Sequence, residues 1–225
     1  MPDQPDTRTA DMRTMDELRT DLAPHVAEAA MFDGWTDTAV TQAAEAAGVD
    51  PAAARFAFEG RAMTMIAAWI AAIDRDMATA LPPERVGNLP MRERIRTLVQ
   101  FRLDALVGRE EALRRALIEM AKPRNVAAAL KLGWHSADAM WRLAGDTATD
   151  YNHYTKRATL GTIYAATLSV FAEDHSDDHA DTRAFLDRRI EDVMRFEKAK
   201  ARVLKPRNEM FSPIRLLGRL RYPAK

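Results

Sequence analysis

The chain has 225 residues, 47% of them hydrophobic and 29% charged, with no cysteine and a formal net charge of zero. That length suits one sizeable domain, or a domain with a short appendage, of ordinary globular composition. Without cysteine there is no disulfide framework, no thiolate nucleophile and no thiolate metal site.

The neutral total conceals a polarised chain. Residues 1–60 carry four arginines against eight Asp and four Glu, a net of −8. Residues 198–225 carry nine Lys and Arg against Glu209 alone, a net of +8. Such asymmetry implies different partners for the two ends, and only the C-terminal one suits anionic lipid or nucleic acid. The N-terminus, MPDQPDTRTADMRT, has neither the apolar segment of a secretory signal nor the arginine-rich character of a transit peptide. The longest uncharged run, residues 158–172, is 15 residues rich in Thr and Ala, whereas a spanning helix needs ~20 apolar residues. The location expected from these features is cytoplasmic, with any membrane association peripheral.

Strand signals are nearly absent, and apolar residues recur every three or four positions, so an all-α fold is expected. The pattern predicts helices over residues 11–32, 36–47, 51–58 and 61–80, a loop over 81–90, and helical stripes at Ile95, Leu98, Val99 and Leu106 and at Leu113, Ala116, Leu117 and Met120. A helix after Pro123 ends near Gly145, and two long helices over 150–173 and 178–204 complete the body. Residues 1–60 read as one lobe, 61–205 as a body continuous with it, and 206–225 as a basic amphipathic tail.

Within the first lobe, TDTAVTQAAEAAGVDPAAARFAF (36–58) has the features of a helix-turn-helix. Thr36 caps the first short helix, Ala43, Ala44 and Ala47 permit a close crossing, and Gly48 takes the left-handed turn with Val49 plugging it. Asp50-Pro51 opens the second. With long helices behind it, this resembles the TetR-type regulators, and a ligand-responsive transcription regulator is the alternative reading. A recognition helix needs basic and polar side chains. PAAARFAFE offers Arg55 alone, in a lobe of net charge −8, and no DNA binding is expected.

Catalytic patterns are lacking. There is no phosphate loop, nucleophile elbow or dinucleotide glycine fingerprint. His175 and His179, among Asp174, Asp177 and Asp178, have metal-compatible spacing but sit where an acidic inter-helix turn is expected. Asp150-x-x-His153 is a single poor copy of the di-iron Glu-x-x-His pattern, which needs two copies and two more glutamates. Neither a metal, a cofactor nor a catalytic residue is assigned.

The most informative stretch is AMWRLAGDTATDYNHYTKRATLGTIYAATLSVF (139–171), followed by DTRAFLDRRI (181–190). The run AGDTATDYNHYTKRA (144–158) resembles the ninth Coq protein family, the lipid-binding accessory proteins of ubiquinone biosynthesis, which share the TetR-like fold. Where that family has Asn-Trp-Tyr, this chain has Asn152-His153-Tyr154. The resemblance implies a non-catalytic protein that takes an isoprenoid quinone precursor from the membrane and presents it to a ring-modifying enzyme, foremost the di-iron demethoxyubiquinone hydroxylase. It places the partner-facing patch at Asp150, Asn152, His153, Tyr154 and Lys156, and peripheral attachment at the inner membrane.

Apolar helices supply candidates for the lipid. Met65, Ile66, Trp69 and Ile70 share one helix, Trp134 and Trp141 another, and Tyr164, Leu168 and Phe171 a third. Met and aromatic side chains among alanines suit an adaptable cavity, and the resemblance implies that it holds the isoprenoid. The tail sets Phe211, Ile214, Leu217 and Leu220 against Arg215, Arg219 and Arg221, a membrane-surface pattern. TetR-like proteins commonly pair through their last two helices, so a homodimer through residues 150–203 is expected.

Overall fold

In a computed structural model, residues 14–149 and 151–204 are described, with side chains as far as Arg195. The expected tail residues, Phe211 to Arg221, and Asp150 lie outside the described residues. Two compact units divide the chain, Met1–Asp187 and Arg188–Lys225, so the division falls inside the last long helix rather than at 205.

The first lobe is built from α1 (Met15–Asp33), α2 (Asp37–Ala46) and α3 (Pro51–Phe58). Thr14 and Glu17 form a reciprocal capping box at the start of α1. Leu18, Leu22, Val26 and Ala30 recur at every fourth position and are buried with Ala23 and Ala27. Against that stripe pack Ala39, Val40, Ala43 and Ala44 of α2 and Ala54, Ala57 and Phe58 of α3, all buried. Small side chains let the backbones approach. Thr36 caps α2 through the Ala39 N–H, and both Asp50 carboxylate oxygens accept from Ala52 and Ala53 at the start of α3. Gly48 takes φ 67°, as the turn requires. Ala47, by contrast, is exposed and does not contribute to the crossing, because α2 ends one residue before it.

The body begins with α4 (Ala62–Ala80), whose buried face runs Met65, Ile66, Ala68, Trp69, Ala72, Ile73, Met77. It packs on α1 and on three later helices. The stretch expected to be loop contains one helical turn, α5 (Pro83–Val86), with a proline at its first position and Val86 buried. Next come α6 (Met91–Asp104), α7 (Glu110–Ala121), α8 (Val126–Leu143), α9 (Tyr151–Phe171) and α10 (Ala180–Leu204). No strand occurs among the described residues, and none of the described helices is by itself long and apolar enough to cross a membrane.

The last helix starts two residues later than the periodicity suggests. Asp178 and His179 take positive φ (53° and 51°), which breaks the helix at a short 3-10 turn. Asp174 organises this junction: its carboxylate accepts from Ser176 N (2.8 Å) and Oγ (2.6 Å) and from Thr182 N (2.8 Å) and Oγ1 (2.5 Å). Burial opposes its ionisation, but these hydrogen bonds prevail and hold the carboxyl far below its usual range. His179 stacks on Phe171 at 4.2 Å, with Nε2 3.3 Å from Glu110. His175 is exposed.

Candidate functional site

The segment that drew attention in the sequence folds as the α8–α9 hairpin. Gly161 lies 3.8 Å from the Gly133 carbonyl and 3.9 Å from Ala137 Cβ, measured from where a Cβ would sit, so the two helices touch through small residues. At the hairpin's closed end, the loop after α8 is held by buried charge. Arg157 is only 2% exposed; its Nε donates to Asp138 at 2.6 Å, and its Nη1 to Asp146 at 3.1 Å and to the His153 carbonyl at 3.2 Å. Lys156 Nζ reaches the other Asp146 oxygen at 2.7 Å and lies 5.3 Å from the Trp141 ring centroid. The Trp141 indole donates to the Lys156 carbonyl (3.1 Å), and Arg142 pairs with Asp138 (2.8 Å).

Burial works against ionisation of both carboxyls. For Asp138 the Arg157 hydrogen bond and the Arg142 charge override it, and for Asp146 the hydrogen bonds from Lys156 and Arg157 do. Each carboxyl is held below its usual range. The AGD and KRA ends of the motif are therefore two halves of one ionic clamp.

What the clamp presents is aromatic. Tyr154 sits 5.1 Å edge-on from His153 and 6.1 Å from Trp134, and His153 lies 6.4 Å from Trp134. His153 Nδ1 meets the Ala148 carbonyl at 3.0 Å, which fixes the ring. Tyr154 is 61% exposed, Tyr151 75% and Leu130, one turn before Trp134, 69%. Of the expected partner-facing residues, His153 and Tyr154 come together and Asn152 is exposed beside them in sequence. Lys156 differs: its ammonium is committed to Asp146, so it serves the clamp. Trp134, expected in a lipid cavity, is half-buried at the edge of this cluster.

The remaining lipid candidates have separate partners among the described residues. Met65 and Ile66 are fully buried in the core, and Trp69 packs on Trp35 at 5.4 Å, whose indole donates to the Ala112 carbonyl (3.2 Å). Tyr164 is occupied by Arg102, 1% exposed, whose Nε donates to the phenol oxygen at 3.0 Å. The same guanidinium donates to Ser136 Oγ (3.0 Å) and pairs with Asp74. Burial raises the Asp74 carboxyl above its ordinary pKa despite that pairing. An arginine thus fills the interior where apolar residues alone were expected. Phe171 is taken by His179, while Ile70, Trp141 and Leu168 are half-buried. A concavity of about 400 Å³ lies elsewhere, along α6, and none of the nine candidates lines it.

The two buried arginines were the residues missed, and both have a sequence signal. Arg102 falls in the α6 stripe between Leu98 and Leu106, and Arg157 heads the α9 stripe Leu160, Tyr164, Thr167, Phe171. A charge at an apolar stripe position is either misplaced or paired.

Comparison with known proteins supports the family resemblance of this segment. The COQ9 family model matches residues 126–197, which spans α8, α9 and most of α10. The chain is 31% identical over 199 residues to the ubiquinone biosynthesis protein COQ9, mitochondrial, of Rattus norvegicus, covering 85% of this chain and 64% of the rat protein. The Homo sapiens protein of the same name is also 31% identical, with 85% and 62% covered. The chain is similar to the COQ9 family over most of its length. It spans about 64% of the length of the rat relative. Among solved structures, the TetR transcriptional regulator from Nitrosomonas europaea superposes with a TM-score of 0.57 at 21% identity, over 79% of this chain and 96% of that one. The fold is all-α and TetR-like, and it carries the ionic clamp and aromatic cluster on the α8–α9 hairpin of the matched segment.

Proposed function

We propose that the chain acts in ubiquinone biosynthesis as a non-catalytic accessory protein, which binds an isoprenoid quinone precursor and presents it to a ring-modifying enzyme such as the di-iron demethoxyubiquinone hydroxylase. The relatives' names supply the pathway. The observation that carries the presenting role is the aromatic cluster of half-buried Trp134 and His153 with exposed Tyr154, positioned beside the buried Asp138–Arg157–Asp146 clamp. Large, preorganised aromatic side chains are the usual anchors of protein interfaces, because they bury much area with little rotamer entropy to lose. Lipid contact in this proposal rests on the half-buried Ile70, Trp134, Trp141 and Leu168 rather than on the core residues. It requires no cofactor.

The basic tail gives reversible attachment to the cytoplasmic face of the inner membrane, with a homodimer formed through the last two long helices. Ala158, Thr162, Ala165 and Ser169 form an exposed row of small side chains on α9 that permits a close helix approach. The regulator alternative finds no support in α3, whose outward residues are Ala52, Arg55, Phe56 and Glu59, with Arg55 bonded to Thr41 at 3.3 Å.

Co-purification with the hydroxylase tests the proposal. Tyr154→Ser and Leu130→Ser should each lower hydroxylase capture about tenfold or more, as loss of an interface anchor does, with unchanged thermal unfolding. Isoprenoid should appear by mass spectrometry in the wild-type protein. Undiminished capture by both variants would remove this surface from the mechanism. Truncation after Arg207 should separately abolish sedimentation with anionic vesicles.

A further inference from the structure

The concavity along α6 is unconnected with the aromatic surface, and its lining is specific. Thr97, Phe101 and Asp104 lie on one face of α6, Leu81 follows the end of α4, and Arg183 comes from the second turn's approach of α10. Its volume, about 400 Å³, is in the range of small-molecule sites. Arg96 is shared between Glu93 (2.9 Å) and Asp187 (2.8 Å), while Asp104 accepts from the neutral Gln100 amide at 2.7 Å and keeps its charge. Arg183 differs, since among the described residues its guanidinium has no ion pair or hydrogen bond. Phe101 and Leu81 are half-buried and give the groove an apolar floor.

From this we infer a binding site for a small amphipathic monoanion, with its acid group on Arg183 and its apolar body over Phe101 and Leu81. One free cation matches one negative charge. Asp104 and Asp187 on the same lining repel any anion, and a doubly charged phosphate about twice as strongly as a monoanion, so a carboxylate or sulfonate is the favoured class. The guanidinium offers a planar fork of donors to such a group. The site does not depend on the accessory role in ubiquinone synthesis and would stand if that role failed.

The test uses the full chain and 8-anilinonaphthalene-1-sulfonate, a fluorescent aromatic monoanion, with the uncharged N-phenyl-1-naphthylamine as its counterpart. One saturable sulfonate site per chain is expected. Arg183→Ala should weaken it roughly tenfold, the loss of one charge-assisted hydrogen bond at a partly open site, and Arg183→Glu should weaken it further. Arg183 is exposed, so unfolding temperatures should be unchanged. Arg124→Ala, at an exposed arginine away from the groove, and Tyr154→Ser should leave the affinity as it was. Binding of the uncharged compound should not respond to Arg183. Absence of a saturable site, equal affinity in Arg183→Ala, or an equal loss in Arg124→Ala would overturn the proposal. Loss on Tyr154→Ser would assign the probe to the aromatic surface instead.

Discussion

The first lobe and the α8–α9 hairpin solve the same packing problem by opposite means. Between α1, α2 and α3 the buried residues are Ala, Val, Leu, Trp and Phe, and apart from the helix caps the polar contacts lie at part-buried or exposed positions, Arg19 to the Ala57 carbonyl and Arg55 to Thr41. Between α8 and α9 the closed end of the hairpin is organised by a buried guanidinium and two carboxylates. An apolar contact is tolerant of sliding, whereas an arginine held by two carboxylates and a carbonyl accepts one geometry. A buried ion pair is weak as a source of stability and is often no better than an apolar pair of the same shape. Its value here is as a specifier of where the aromatic surface points. The lobe, which needs only to stay folded, does without one.

The comparison breaks most severely at Arg157. Arg157→Ala leaves Asp138 and Asp146 partly buried without their shared cation, and removal of one partner from such a network costs about 3–5 kcal/mol. Urea unfolding monitored by circular dichroism measures it. Replacing Arg157 with Met while Asp138 and Asp146 become Leu should recover much of that stability, yet should still lose hydroxylase capture, because the loop is no longer fixed. Full capture by the apolar variant would show that the clamp is only a stabiliser.

Acid sharpens the same contrast. Asp138 and Asp146 have folded-state pKa values below the ordinary carboxylate value, about 3.9. Their contribution is therefore complete at neutral pH and is lost as pH falls from about 4 through the depressed folded values. The stability gap between the wild type and Asp146→Asn should narrow steadily between about pH 5 and pH 2. For Phe58→Ala, in the lobe, the gap should stay constant over that range, since no titrating group is removed. Denaturation midpoints at several pH values distinguish the two behaviours.

Much of this architecture was legible in the sequence, for identifiable reasons. The helix-turn-helix appeared with its Thr36 and Asp50 caps because those signals are local and act within three residues. The motif at 144–158 coincides with the α8–α9 hairpin, where the rings of His153 and Tyr154 lie 5.1 Å apart. The misjudged residues depend on tertiary partners. Lys156 reads as an exposed cation until Asp146, ten residues earlier, folds against it. Tyr164 reads as cavity lining until Arg102, 62 residues away, takes its hydroxyl. The late start of α10 arises from Asp174 bonding forward to Thr182, eight residues on, which periodicity does not encode.

The smallest expected effect lies at a cap in the lobe. Asp50 accepts from Ala52 N at 3.0 Å and Ala53 N at 3.3 Å, satisfying two of the orphan donors at the start of α3. Asp50→Ala should cost about 1 kcal/mol, and Asp50→Asn less, since the amide oxygen still accepts while the negative charge at the helix N-terminus is lost. α3 has only eight residues and is too short to persist without tertiary support, so its register depends on α1 and α2 and not on the cap alone. The substitution should therefore lower the unfolding midpoint slightly while leaving the α8–α9 surface untouched. Hydroxylase capture by Asp50→Ala should match the wild type when both are folded. A loss comparable with that of Tyr154→Ser would mean that the lobe itself meets the partner, and that the division of labour between the two regions is wrong.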